Sequence, residues 1–176
     1  MRYVPSVTVF DFRSARIEDA ETVAETVRLG FDSFRAWAEP SYDPPPHALE
    51  LPRIREGLAR PSTWALLALS GGEPAGHVAL TQARERTEPR RDIPGLAHLW
   101  MLFVRPPWWG SGLAAQLNGR AVEEATVRGY AAIRLHTPAG NRRARGFYER
   151  EGWSTDGVAI PEPLLGLDLV EYRCDL

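Results

Sequence analysis

Apolar and polar positions change period several times along the chain. Val7–Phe12 alternates and predicts a strand. Val23, Ala24, Val27, Phe31 and Phe34 then recur at helical spacing, with Asp19 as the candidate N-cap. Tyr42 to Pro46 holds Asp43 and three prolines, which predicts a loop. Leu51, Ile54 and Leu58 predict a short second helix with Pro52 in its first turn. Trp64–Leu69 and Pro74–Thr81 flank Ser70-Gly71-Gly72-Glu73 and predict a hairpin. Arg84 to Pro94 is polar, charged and proline-containing, so it reads as a loop. Ala97–Val104 is an apolar run between Gly95 and Pro106, suited to a central strand. Leu113, Leu117, Ala121 and Ala125 place a helix that ends near Gly129. Ala132–Thr137 predicts a strand, and Asn141 to Glu151 a helix closed by Gly152. Two short strands follow, near Trp153–Ile160 and Leu167–Asp175. Strands interleaved with helices predict an α/β layer structure, and the hairpin makes the sheet mixed. No repeat or linker divides the 176 residues, so 1–176 reads as one domain, with 1–11 an N-terminal extension or extra strand.

Composition narrows the function. The 21 basic and 23 acidic residues give a net charge of −2, which leaves no nucleic-acid footprint at whole-chain level. Every basic residue is Arg; without lysine there is no P-loop and no Schiff base. The single cysteine, Cys174, excludes an internal disulfide framework. The four histidines, His47, His77, His98 and His136, lack the close spacing of a metal site, so no metal is expected. No apolar run approaches the roughly 18 residues of a membrane span, and the first residues do not read as a leader. The expectation is a soluble, cytoplasmic chain, monomer or homodimer, without a nucleic-acid or membrane partner.

The segment Val104-Arg105-Pro106-Pro107-Trp108-Trp109-Gly110-Ser111-Gly112-Leu113-Ala114-Ala115 joins a strand to a helix. Gly110 and Gly112 allow a sharp turn and close approach of a ligand. First-turn N–H groups lack partners inside the helix, and the helix dipole favours an anion there. Such a turn can hold a pyrophosphate or be an ordinary loop. Gly110-x-Gly112-x-x-Ala115 also fits a loose dinucleotide pattern. That pattern wants the first glycine directly after the strand and an acidic residue about 20 positions on. Here Arg105 to Trp109 intervene, and the next strand offers Arg134, His136 and Thr137.

Two motifs together resemble the GNAT superfamily of acyl-CoA-dependent N-acyltransferases. Trp109-Gly110-Ser111-Gly112-Leu113-Ala114, after Val104-Arg105-Pro106, is similar to its loop signature, with Trp109 where the family has Gln or Arg. About 30 residues on, Asn141-Arg142-Arg143-Ala144, then Phe147-Tyr148, then Gly152-Trp153 match its second element. The resemblance spans roughly Phe12 to Leu176 and implies a mixed, mostly antiparallel sheet flanked by helices. It also implies acetyl-CoA as co-substrate and an amine acceptor.

By that resemblance Leu102, Phe103 and Val104 would pair with pantetheine through backbone amides, also polarising the thioester carbonyl. Trp109, Gly110, Ser111, Gly112, Leu113, Ala114 and Ala115 would hold the pyrophosphate. Asn141 would touch pantetheine, or serve as a plain N-cap. Arg143, with Arg142 and Arg145 as lesser candidates, would meet phosphates, or all three form a solvated face. Tyr148 would protonate the departing thiolate, or simply pack. His98, six residues before Val104, stands where the family commonly has a Glu base. Its ordinary pKa near 6.5 suits that task, with His136 and Glu85 in reserve. Phe31, Phe34, Trp37 and Tyr42 read as core, or as one wall of an aromatic acceptor pocket. The expected acceptor is a small-molecule amine. A protein or peptide acceptor, and a non-catalytic acyl-CoA-binding module, are the alternatives.

Overall fold

The apolar stripes in the sequence are buried on the two faces of one twisted sheet. The computed structural model describes residues 8–176. Among them the elements run β1 (Asp11–Ser14), α1 (Ala20–Ser33), α2 (His47–Ala59), β2 (Trp64–Ser70), β3 (Glu73–Arg84) and β4 (Asp92–Val104). Then come α3 (Leu113–Val127), β5 (Ala132–Pro138), α4 (Arg142–Arg150), β6 (Ala159–Glu162) and β7 (Leu167–Asp175). The sheet order is β1-β2-β3-β4-β5-β7-β6. Only the β4–β5 pair is parallel, with α3 as the crossover, so the sheet is mixed and mostly antiparallel, as expected.

Side-chain alternation assigns the faces. Ala97 and Leu99 of β4 join Leu113, Leu117, Ala121 and Ala125 of α3 in one core. Ala79 and Met101 join Val23, Ala24 and Val27 of α1 and Ile54 of α2 in another. Between Leu99 and Met101 the register against β3 slips by one residue, so Trp100 is a bulge. That slip returns Met101 and Phe103 to the α1 face, while Leu102 and Val104 pack on the α3 face.

Five local expectations need correction. The first strand begins at Asp11; Thr8–Phe10 have no regular structure, and Val7 lies outside the described residues. Asp19 precedes α1 but caps nothing there, because its carboxylate is bound to Arg13 (2.6 Å) and to the Arg16 N–H (2.8 Å). Helix α2 starts at His47, which puts Pro52 inside it rather than in the first turn. The loop is only 85–91, because Arg84–Asp92 (2.8 Å) and the Gln82 amide, which donates to Ile93 and Leu96 carbonyls, let β3 and β4 extend through polar sequence. Near Trp153 only Ser154 bridges to Arg173, and β6 begins at Ala159.

The feature that positions the site is a parting in the sheet. β4 and β5 pair only at Leu96–Ala132, Ala97–Ile133 and His98–Arg134. Beyond His98, β4 stays with β3 as far as Val104, and β5 stays with β7 as far as Pro138. A wedge-shaped gap opens between them.

Two helical glycines should respond oppositely to a methyl group. Gly119 of α3 has open space around it, so Gly119→Ala should stabilise by about 0.5–1 kcal/mol. At Gly57 of α2 a Cβ would overlap the Trp100 ring, so Gly57→Ala should destabilise, by about 1–3 kcal/mol. Urea unfolding of the two variants measures both signs.

Candidate active site

The residues around the gap line one cleft of about 1070 Å³. Leu102, Phe103 and Val104 supply one wall and Thr137 and Pro138 the other. One mouth lies on the α3 face, with Gly110, Gly112, Leu113, Ala114 and Ala115 below and Asn141, Arg143 and Tyr148 above. The other lies on the α1 face, against Phe31, Phe34 and Trp37. The cleft therefore passes through the sheet where its strands have separated.

The first mouth is built for an anion. Gly110 (φ 78°) and Gly112 (φ 83°) both hold left-handed backbone, which other residues adopt at a cost. Gly112 is the N-cap of α3 and brings no side chain to its amides. Ser111 reaches only the Leu113 N–H, at 3.4 Å. Its hydroxyl and its own N–H both bond to the Trp108 carbonyl, at 2.7 and 3.3 Å. Ser111 thus does not line the cleft; it stitches the loop that does. Arg105 fastens that loop to α1, donating to Thr26 Oγ1 (2.8 Å) and the Thr22 carbonyl (3.2 Å).

Trp109 has a defined place. Its indole N–H donates to the Val104 carbonyl (2.7 Å), and the Arg143 guanidinium lies 4.0 Å from its ring centroid. A cation is therefore stacked across the mouth from α4 to the loop. Arg145 is otherwise engaged, with Tyr172 Oη (3.1 Å) and the Ala139 carbonyl (3.1 Å). Of the three arginines, Arg142 and Arg143 face the cleft.

Asn141 is the N-cap of α4, and its Oδ1 accepts the Ala144 N–H (3.1 Å), which leaves the side-chain NH2 at the cleft wall. Two turns on, Tyr148 is 7% exposed. Its ring is framed by Phe147 (5.1 Å), Trp153 (5.8 Å) and Tyr172 (5.9 Å). Its hydroxyl bonds to none of the described residues. Burial pushes its pKa well above 10, so the proton stays on oxygen at any physiological pH. Packing and chemistry are compatible here: the ring is structural and the hydroxyl is unspent. Phe147 also reaches the cleft rather than only the core.

His98 is not in the cleft wall. It sits in the last β4–β5 pair, at the apex of the gap. Its neighbours Ala97 and Leu99 enter the α3-side core, so its ring projects to the α1 face. There it meets His136, ring centroids 5.5 Å apart. His136 Nε2 lies 3.2 Å from Glu171 Oε2, near enough to attract but off hydrogen-bond geometry. Arg134 Nη1 is 3.9 Å from the same oxygen. His98 keeps some residue surface open, yet its Nδ1 is buried and unpartnered among the described residues. Burial, then the charge of neighbours, pushes its pKa down to about 3. That is well below the ordinary value near 6.5 on which the expectation of a base rested. Sequence reasoning assigned His136 a reserve role and missed Glu171 and Arg134, because the β4–β5 register sets Arg134 opposite His98 and the β5–β7 register sets Glu171 opposite His136.

Comparisons with known proteins agree with this geometry. The family model described as "Acetyltransferase (GNAT) family" matches residues 31–153. A solved structure of a GNAT acetyltransferase from Desulfovibrio desulfuricans superposes with TM-score 0.69 at 21% identity, over 95% of this chain and 99% of that one. The PaiA N-acetyltransferase from Thermoplasma acidophilum, solved with coenzyme A, gives 0.67 at 18%, over 96% and 99%. The ribosomal-protein-S18-alanine N-acetyltransferase from Escherichia coli gives 0.67 at 15%, over 95% and 94%. Among curated proteins none matches.

Three histidines give the fold an acid limit. His77, with both ring nitrogens buried and unpartnered among the described residues, and His98 are pushed to about 3, and His136 to about 4, each chiefly by burial. The unfolded chain, with histidines near 6.5, binds more protons below that pH. Stability is thus complete above about 6.5 and is lost as pH falls toward the folded values. Between pH 7 and 5 each group should contribute a loss of about 2 kcal/mol. His77→Leu should remove one such share from the urea-unfolding profile; an unchanged slope would contradict the burial argument.

Proposed function

The chain belongs to the acetyltransferase (GNAT) family, and from that premise we propose that it transfers acetyl from acetyl-CoA to the primary amine of a small molecule, directly, in a ternary complex. The observation that carries this reading is the cleft through the sheet, with an anion-ready mouth on one face and an aromatic mouth on the other. Two substrates entering from opposite faces meet in the gap, so no covalent enzyme intermediate is needed.

The residues present fit the donor. The uncapped amides at the start of α3 and the stacked Arg143 suit a pyrophosphate. The edge of β4 at Leu102–Val104 has no strand partner on the β5 side and can pair with an amide-bearing chain such as pantetheine. Bound there, acetyl-CoA supplies an activated acyl group on a thiolate leaving group.

The amine must arrive neutral. At pH 7 an amine of pKa near 10.4 is protonated, and freeing it costs about 4.6 kcal/mol. In the transfer the C–N bond forms and the C–S bond breaks; the amine gives up one proton and the sulfur takes one. On the α1 face His98, His136 and Glu171 form a polar path by which the amine proton can leave through water. Neutral imidazoles with low pKa values relay that proton rather than store it. At the gap, Tyr148 keeps its proton and has no other partner among the described residues, which supports it as the donor of a proton to the sulfur. A thiol of pKa near 8.5 needs only modest help from a phenol.

A small acceptor is favoured over a protein segment because bulky apolar side chains flank the α1-side mouth. The Trp37 ring packs against Gly140, where a Cβ would stand 2.9 Å from it, and Leu165 stands at the cleft wall. Tyr148, whose unspent hydroxyl a binding module would not need, argues for an enzyme over a passive module.

Two variants test the assignment. Tyr148→Phe should lower kcat by about tenfold to a hundredfold while the Kd for coenzyme A stays within about twofold. An unchanged kcat with chemistry rate-limiting would remove Tyr148 from the mechanism. Arg143→Ala should weaken coenzyme A by about tenfold, the scale of one charge-assisted hydrogen bond, and reduce the salt dependence of binding.

A further inference from the structure

The α1-side end of the cleft is more than an entrance. It is lined by Phe31, Phe34 and Trp37 from the end of α1 and the turn after it, by Phe103 of β4, and by Leu165 from the β6–β7 turn. The rings brace one another. Phe31 meets Phe103 edge-on at 5.8 Å (85°), and Phe34 lies 5.7 Å from Phe31 and 5.0 Å from Trp37. Gly30 has no Cβ where the Phe103 ring lies, so that ring seats directly against α1. Phe31, Phe34 and Trp37 were read from the sequence as core or as one wall of an acceptor pocket; Phe34 is buried, while Phe31 and Trp37 are half-buried and line the cleft.

None of these five side chains is charged or a hydrogen-bond acceptor. The nearest charges along the chain are spent: Asp32 on Arg28 (2.5 Å) and Arg35 on Asp43 (3.1 Å). Ser33 donates to the Gly30 carbonyl (2.5 Å). None of these five gives a polyamine a carboxylate for its second cation: Glu151 of the same cleft stands just after α4, Glu171 lies beside His136, and desolvating an unpaired charge among the rings is costly. An aromatic body would find rings at stacking and edge distances. The end is continuous with the gap that holds Tyr148, within the same cleft.

On this basis, and resting on the acetyl-transfer reading above, we infer that the acceptor is a primary amine carried on an aromatic body, an arylalkylamine. The aryl group sits among Phe31, Phe34, Trp37 and Leu165, and the amine points into the gap, on the face where His98 and His136 stand. The aromatic end thereby sets acceptor specificity, and the donor mouth plays no part in it.

The test compares acetylation of 2-phenylethylamine, spermidine and a short alanine-starting peptide, with calorimetry of acetyl-CoA binding alongside. The expected kcat/KM for 2-phenylethylamine exceeds that for spermidine by about tenfold or more, the scale of one well-filled apolar pocket. Trp37→Ala should cut that ratio about tenfold through the KM for the amine, with the KM for acetyl-CoA unchanged, and Trp37→Phe should restore most of it. Leu165→Asp, at a half-buried turn position, should shift preference toward spermidine. Equal or better use of spermidine or the peptide overturns the inference. So does faster turnover of hexanoyl-CoA than acetyl-CoA with no amine preference, which would give the aromatic end to the acyl chain. Acetyl-CoA binding without acetylation of any of these amines overturns it too, leaving the donor site standing. Failure of acetyl-CoA to bind overturns the donor reading itself, and this inference with it.

Discussion

Everything at the centre of this molecule depends on β4 and β5 separating after three residue pairs. Backbone N–H and C=O groups deprived of a ladder must find other partners, because leaving them buried and unpaired costs about 1–3 kcal/mol each. On β4 the Val104 carbonyl is taken up by the Trp109 indole N–H, and Leu102–Val104 line the cleft. A fold that tolerates such an edge can satisfy it with water or with a ligand that behaves as a strand. The bulge at Trp100 turns the end of β4, and antiparallel partners on the outer sides, β3 and β7, hold the two strands while they diverge.

The gap also separates two electrostatic environments. On the α3 face, uncapped amides and Arg143 favour negative charge. On the α1 face, apolar rings stand beside imidazoles held neutral by burial. On the proposed reading this would sort a negatively charged donor and an amine acceptor by side. Between the two sides lies a phenol that stays protonated because its ring is packed among Phe147, Trp153 and Tyr172. The same packing that stabilises the core keeps the proton in place.

Much of this was legible in the chain. Gly110 and Gly112 announce the left-handed turn, because no other residue adopts it cheaply, and the Asn141–Tyr148 spacing announces one helix face. Element order followed from period changes. What the sequence hid is what depends on pairing partners. Polar Arg84 and Asp92 extend strands because they face each other across the hairpin. The burial of His98, and hence its loss of basicity, comes from β5 and β7 packed alongside. The Trp109–Arg143 stack joins positions 34 apart, one in the loop before α3 and one on α4, and has no signature in either segment. Ser111 fits the loop pattern by position but spends its polar groups inside the loop.

The central claim is that the donor lies along the free edge of β4 with its phosphates at the start of α3. Amide ¹⁵N–¹H spectra recorded during a titration with acetyl-CoA test this residue by residue. The account predicts that the amides of Leu102–Val104 and of Gly110–Ala115 shift most, while those of β1, β2 and β6 stay in place. Saturable shifts located elsewhere, or none in the glycine turn at saturating acetyl-CoA, would contradict it.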